Sequence, residues 1–317
     1  MTKPVVLLYE PIHAGAVELL KQHAEVRMAS DLDQKALLQV VGDVAGIIIR
    51  ANGKVTRQLM QAAPRLKVVA RHGTGVEAID LNAAAELGII VVNTPEANVE
   101  SVAEQCLAMM IILAKRILIA DKQFRAGDWE ARYRLTGVEL LGKIVGVIGI
   151  GRIGYRLAEL CYLAFKMPVI YFDVIANPKA EFNLSARRVE LDELLNTADF
   201  ISLHLPLIPA TRHLIDASAL NKMKPSAYLI NSSRGAVIDQ EALIHALQEK
   251  WIAGAGLDVF DPEPLPADSP LLKLDNVVVS PHMAAHTGEA LLRMALVVED
   301  VIAVIEGRPP KNPVLTK

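Results

Sequence analysis

Cysteine is nearly absent. The 317 residues contain two, Cys106 and Cys161, each within an apolar helical pattern. This excludes a disulfide framework and reads as two buried free thiols, which fits a reducing cytoplasm. Aromatic residues are scarce at 4%, too few for base-stacking platforms. The 33 Lys and Arg are scattered among 36 Asp and Glu, so no basic stripe marks a nucleic-acid surface. Long apolar runs are missing too. The run in MTKPVVLLYE is too short for a signal peptide. The most apolar segment, CLAMMIILA (Cys106–Ala114), falls far short of the roughly 20 residues that span a bilayer, and reads as part of a buried helix. No low-complexity segment, short repeat or metal-ligand set is present, so neither a solenoid nor a metal site is expected.

What is present is a chain long enough for about two domains, and 52% hydrophobic. Short β-branched runs alternate with helical patterns over the first third: VVLLY, EVRM, GIIIR, KVVAR and IIVVN, with helices such as Ala14–His23 and Ile79–Leu87 between them. A βαβ rhythm implies a parallel sheet covered on both faces. A long helix is expected from NVESVAEQ to about Gln123, capped by Ser101 with Glu104 or by Asn98. The polar stretch RAGDWEARYRLTG reads as a loop. A second alternation follows, with strands at Ile144–Ile148, VIYFD, RRVE, FISLHL, AYLIN, AGAGLDVF and NVVVS. One long helix is expected at about Gly288–Glu306, returning to the first domain. The fold class is therefore α/β, with two doubly wound parallel-sheet domains. The expected bounds are 1–97 plus 287–317 for one domain and 98–286 for the inserted one, with crossings near Asn93–Asn98 and Pro281–Thr287.

The stretch GVIGIGRIG follows a strand and opens a helix, Ile153–Phe165. Gly149 permits a tight turn, Gly151 clears space for a pyrophosphate, and Gly154 lets helix and strand pack closely, while the helix N-terminus favours phosphate charge. The next strand ends in Asp173, 19 residues beyond Gly154. An acid there can hydrogen-bond the adenosine ribose and repel a ribose phosphate. No Arg or Lys occurs in FDVIANP before Lys179, which favours NAD over NADP.

Three residues at further strand ends carry the chemistry a dinucleotide site calls for. Arg234, in LINSSRGAVID, can take a carboxylate and a neighbouring carbonyl oxygen in fork geometry. Glu263 lies between Pro262 and Pro264, which stiffen its backbone. His282, after Pro281, can exchange the proton that accompanies hydride transfer at a hydroxyl carbon, and a carboxylate partner would raise its pKa. His286 is a lesser rival. Alone, each residue reads as loop charge or a satisfied histidine; their order after a dinucleotide motif is the specific feature.

With RHGTGVEAIDL, NTPEANVESVAE, LHLPLIPATRHLI, GLDVFDPEP and SPHMAAHT, the chain resembles the D-isomer-specific 2-hydroxyacid dehydrogenase family over nearly its whole length, particularly its short D-3-phosphoglycerate dehydrogenases. The resemblance implies a Rossmann cofactor domain inserted into a flavodoxin-like substrate domain, NAD as cofactor, and a homodimer joined through the cofactor domains. It implies that Arg234 binds the substrate carboxylate and polarises its carbonyl, that His282 is the acid–base residue, and that Glu263 pairs with it. The backbone of Gly73, Thr74 and Gly75 would hold the carboxylate. Arg152 and Ile153 would contact the pyrophosphate, Asp173 the ribose, and His204, Pro206 and Thr211 the adenosine side. Ser232 and Asp258 would lie near the nicotinamide.

Arg50 matches a phosphate-contacting position, with Lys54, Arg71 and His72 as further cations and Arg134 expected to add charge from a partner subunit, so 3-phosphoglycerate and phosphohydroxypyruvate are the favoured pair. Hydroxypyruvate or glyoxylate reduction, phosphite oxidation and a non-catalytic NAD-sensing interaction protein are the alternatives. Two departures stand out. MAAH replaces a glycine-rich segment after the histidine, leaving substrate choice open. The chain ends at Lys317 without an amino-acid-sensing module, so serine feedback is not expected.

Overall fold

The computed structural model describes residues 3–314; the chain ends, 1–2 and 315–317, within the expected first domain, lie outside the described residues. The chain runs β1 (Val5–Leu8), α1 (Ala14–His23), β2 (Glu25–Met28), α2 (Gln34–Val40), β3 (Val44–Ile49), α3 (Arg57–Gln61), β4 (Val68–Arg71), α4 (Leu81–Glu86) and β5 (Ile90–Val92). It continues through α5 (Val99–Lys115), α6 (Ile117–Arg125), β6 (Val145–Ile148), α7 (Arg152–Phe165), β7 (Val169–Phe172), α8 (Pro178–Leu184), β8 (Arg187–Arg188) and α9 (Leu191–Thr197). Then come β9 (Phe200–Leu203), α10 (Ala217–Lys222), β10 (Tyr228–Asn231), α11 (Gln240–Gln248), β11 (Gly254–Leu257), β12 (Val277–Val279), α12 (Gly288–Ala295) and α13 (Val297–Ile305). Two compact units result: 1–98 with 286–317, and 99–285.

The first unit is a five-stranded sheet in the order β2-β1-β3-β4-β5, parallel throughout. The central strands β1 and β3 are buried along their whole length, as expected where helices cover both faces. One face packs Leu37, Leu59, Met60 and Ala83 from α2–α4. The other packs Leu20 of α1 and Val298, Val301 and Ile302 of α13. Each fully buried Val, Leu, Ile or Met side chain among them contributes about 1.5–3 kcal/mol.

The second unit has a seven-stranded sheet in the order β12-β11-β10-β9-β6-β7-β8, again parallel. Its chain runs outward from β6 in one direction and then, from β9, in the other. This is the dinucleotide-binding pattern, with its switch point between β6 and β9. One face packs α5 and α7 through Cys106, Met109, Met110, Leu157 and Cys161; the other packs α9–α11 through Leu194, Leu220 and Leu243. Both cysteines are buried free thiols. Burial pushes Cys106 up to about 11 and Cys161 to about 12, so neither supplies a thiolate.

Side-chain caps fix several helix starts. Thr56, Asp80, Asn177, Asp216, Asp239 and Thr287 each accept a hydrogen bond from a first-turn amide, worth about 1 kcal/mol apiece. Ser101 does not cap α5: it lies inside the helix and its Oγ donates to Ala284 O at 2.6 Å. Two helices expected to be continuous are each broken. Arg116 adopts φ +56° between α5 and α6, and Ala114 O accepts from Val138 N at 2.8 Å instead of continuing the helix. Leu296 separates α12 from α13. The polar loop before β6 contains a 3-10 turn, Trp129–Tyr133. Among the described residues no helix is long and apolar enough to cross a membrane, and no group of three or more His, Cys, Asp and Glu is placed to hold a metal ion.

Candidate active site

The glycine motif occupies the turn between β6 and α7. Gly149 has φ +92°, and a Cβ there would lie 2.6 Å from His204 O. A Cβ on Gly154 would lie 2.1 Å from Gly149 O and 2.9 Å from Val147 Cγ1. Both positions are glycine because the protein itself leaves no room. Gly151 differs: a Cβ there meets nothing within 4 Å. Space in front of a helix N-terminus, kept open by glycine without an internal steric reason, suits a close-approaching phosphate.

The loop is held by residues downstream. Asp173 Oδ2 accepts from Ile150 N at 2.8 Å, and Asn177 Nδ2 donates to Ile150 O at 2.8 Å. Asn177 N in turn donates to Tyr171 Oη at 2.9 Å, whose hydroxyl donates to Glu181 at 2.6 Å. The sequence marks Asn177 only as a helix start before Pro178, not as a support for this loop. Arg152 and Ile153 start α7. Beyond β9, His204 Nε2 lies 2.9 Å from Ser202 Oγ, and burial lowers its pKa to about 4, leaving it neutral. Thr211 Oγ1 donates to Pro206 O at 2.6 Å and accepts from Ile208 N at 2.9 Å, tying that loop to itself.

Arg234, Glu263 and His282 converge at the C-terminal ends of β10–β12. Asn231, the buried last residue of β10, shapes the Arg234 loop: its Oδ1 accepts from Ser233 N and Oγ, and its Nδ2 donates to Arg234 O at 2.9 Å. Arg234 Nη1 donates to Ser233 O at 2.7 Å. A Cβ on Gly235 would lie 2.0 Å from the Phe260 carbonyl, so this glycine lets the arginine loop touch the glutamate loop. Glu263 Oε1 accepts from Phe260 N at 3.0 Å, and its Oε2 meets His282 Nδ1 at 2.8 Å. Burial raises the Glu263 pKa, but the His282 hydrogen bond, the Phe260 amide and the His282 and Arg234 charges outweigh it, and the carboxyl lies below its usual range. The Glu263 hydrogen bond raises His282 against the opposing effect of burial.

His282 itself has φ +50°. Its amide donates to Asp258 O at 2.8 Å and to Ser280 O at 3.0 Å. Asp258, buried just beyond the end of β11, accepts from Ser280 Oγ at 2.5 Å, from Met283 N at 2.9 Å and from Ala284 N at 2.9 Å. Gln105 and Ser101 of α5 hold the same loop through Ser280 Oγ and Ala284 O. Asp258 therefore spends its carboxylate on fixing the histidine loop. Ser232 Oγ is shielded from solvent beside Cys106. His286 belongs to the other unit.

In the first unit, Gly73 has φ +124°, and its amide donates to Thr94 Oγ1 at 3.2 Å. Among the described residues the Thr74 and Gly75 amides have no acceptor, so two of the three expected donors are open. Thr74 Oγ1 donates to Asn98 Oδ1 at 3.1 Å.

The cations expected nearby are fewer than the sequence implied. Burial and the charges of Arg50 and Arg71 lower the His72 pKa to about 4, so it is neutral. Arg134 is paired with Asp128. Arg50 Nη1 donates to Pro11 O at 3.1 Å. Glu10, which the sequence does not flag, accepts from the Ala51 and Asn52 amides at 2.6 and 2.8 Å and places an acid beside Arg50.

Comparison with known proteins follows the same lines. The sequence model for the NAD binding domain of the D-isomer specific 2-hydroxyacid dehydrogenases matches residues 107–284. A D-3-phosphoglycerate dehydrogenase of Archaeoglobus fulgidus is 38% identical over 98% of this chain, which spans only 59% of that relative's length. A glyoxylate reductase of Korarchaeum cryptofilum is 38% identical over 98% of this chain and 95% of its own. Among solved structures, the TT0316 protein of Thermus thermophilus superposes with a TM-score of 0.92, at 38% identity, covering 98% of this chain and all of that one.

Proposed function

The chain belongs to the D-isomer specific 2-hydroxyacid dehydrogenase family, and from that premise we propose that it interconverts a D-2-hydroxy acid and its 2-oxo acid using NAD. Residues of the 107–284 domain would hold NAD, which when bound would supply or accept the hydride. The 2.8 Å contact between His282 Nδ1 and Glu263 Oε2 carries the reading. With Nδ1–H donated to the carboxylate, the second proton of the imidazolium resides on Nε2. His282 then protonates the alkoxide as it forms during reduction, and takes the proton back during oxidation. Arg234 stabilises the developing negative charge, and the open Thr74 and Gly75 amides hold the carboxylate. Gly151, Arg152 and Ile153 serve the pyrophosphate on a turn that Gly149 and Gly154 make possible, Asp173 the ribose, and His204, Pro206 and Thr211 the adenosine side. Ser232 lies toward the nicotinamide, and Asp258 acts there by holding His282 in place.

Arg50 favours a substrate with a second anionic group, such as phosphohydroxypyruvate. The Glu10 carboxylate on the adjoining amides favours the other reading, an uncharged-tail acid such as glyoxylate or hydroxypyruvate, because a phosphate would meet a like charge. The kcat/KM values for NADH-dependent reduction of these three acids decide. Higher efficiency for phosphohydroxypyruvate, diminished by salt and by Arg50→Ala, supports the first; equal or lower efficiency supports the second. Turnover of none of them contradicts the dehydrogenase reading.

A homodimer through the cofactor unit belongs to the same proposal. Helix α6 buries none of its residues, and Leu118, Phe124, Trp129 and Tyr133 are each more than half exposed. Sedimentation equilibrium tests it: a monomer at micromolar concentration contradicts the dimer. Two buried free thiols fit a cytoplasmic setting.

A further inference from the structure

Strand β8 is the edge of the seven-stranded sheet, and its Arg188 pairs in register with Tyr171 of β7. From there its guanidinium reaches the end of β7. Nε and Nη2 donate to Asp173 O at 3.2 and 2.8 Å, and Nη2 also donates to Val174 O at 3.1 Å. Neighbouring Arg187 is paired with Glu193 at 2.6 Å. Arg188 is exposed and has no carboxylate partner among the described residues, and its Nη1 has no acceptor there. Two peptide carbonyls carry only partial charge, so the cation is positioned without being neutralised. The Asp173 carboxylate, on the same Cα as one of those carbonyls, is bonded to Ile150 N and not to Arg188.

We propose that Arg188 is a latent phosphate-binding group at the adenosine ribose, and that the Asp173 carboxylate alone keeps NADP out. The inference rests on Asp173 being the ribose-binding acid. Sequence order hides it: the motif stretch has no cation before Lys179, but the parallel pairing of β7 with β8 brings one in from 15 residues away. A guanidinium fixed through two of its nitrogens, with the third free to donate, matches the geometry of a phosphate ester. Val174 and Ile175, 84% and 74% exposed, do not wall it off. While Asp173 is ionised it repels the ribose 2′-phosphate from close range and offsets the attraction of Arg188. Remove that charge and the guanidinium is left to pair with the phosphate without that opposition.

The test is fluorescence titration of NADH and NADPH against the parent, Asp173→Asn, and Asp173→Asn combined with Arg188→Gln or Arg188→Lys. Asparagine keeps an acceptor for the Ile150 amide, so the loop is preserved. NADPH should bind Asp173→Asn about tenfold or more tightly than the parent, the size of one charge-assisted hydrogen bond, with the gain shrinking in salt. Arg188→Gln should abolish that gain and Arg188→Lys should retain part of it. An equal NADPH gain with and without Arg188, while NADH still binds, overturns the role of Arg188 alone. If Asp173→Asn leaves NADH binding unchanged and gains nothing for NADPH, Asp173 is not the ribose acid, and the reading beneath the proposal fails with it.

Discussion

At the scale of single residues, the site is a set of protonation states fixed by neighbours. Glu263 raises the His282 pKa above its ordinary 6.5, so the imidazolium persists to higher pH than a free histidine would. Reduction requires that proton, and its rate should fall as pH rises through the His282 pKa. In Glu263→Gln the carboxylate that favours the cation is gone, and the same fall should occur at lower pH. A kcat/KM profile unchanged by the substitution would reduce Glu263 to a loop acid. Arg234, Glu263 and His282 are readable in the sequence through their order after a dinucleotide motif, since each alone reads as loop charge or a satisfied histidine. Asp258, Asn231, Asn177 and Glu10 are not readable in these roles: they act by accepting or donating at backbone amides and carbonyls, and such contacts have no sequence spacing. His72 reads as a cation in the sequence, wrongly, because its burial comes from tertiary packing and not from its neighbours in RHGTG.

At the scale of elements, strand identity is legible where β-branched runs form the sheet interior, as in GIIIR and VVLLY. The helix breaks are not legible. Neither Arg116 nor Leu296 is glycine or proline, and the apolar period runs through both; the α5–α6 break follows from Val138 taking the Ala114 carbonyl, a contact distant in sequence. The glycines separate element packing from ligand space, and one set of substitutions checks this. Gly154→Ala and Gly235→Ala place a Cβ 2.1 and 2.0 Å from backbone atoms, and each should lower stability by roughly the 1–3 kcal/mol typical of overpacking, or more. Gly151→Ala meets nothing, so thermal stability should hold while NADH affinity drops. Equal loss of stability in Gly151→Ala, or unchanged NADH affinity, would show that this glycine is structural or idle.

At the scale of the whole molecule, two neutral histidines, buried His72 and half-buried His204, make stability sensitive to acid. Burial lowers both His72 and His204 to about 4, below the roughly 6.5 of an unfolded histidine. The unfolded chain therefore binds protons first as pH falls. The stability these groups contribute is complete above about pH 6.5 and is lost as pH falls toward their folded pKa values. Tm should decline across that window, and the slope should flatten in His72→Gln and in His204→Gln relative to the parent at the same pH. A slope untouched by either substitution assigns acid sensitivity to other groups.

The activity of the assembled chain is tested most directly by the stereochemistry of its product. Reduction of a prochiral 2-oxo acid by NADH, with chiral separation of what forms, should give the D-2-hydroxy acid in one-to-one proportion to NADH consumed, and His282→Ala should slow it by roughly a hundredfold or more while NADH still binds. Formation of the L-acid, or tight NADH binding without turnover of any 2-oxo acid, would contradict the account.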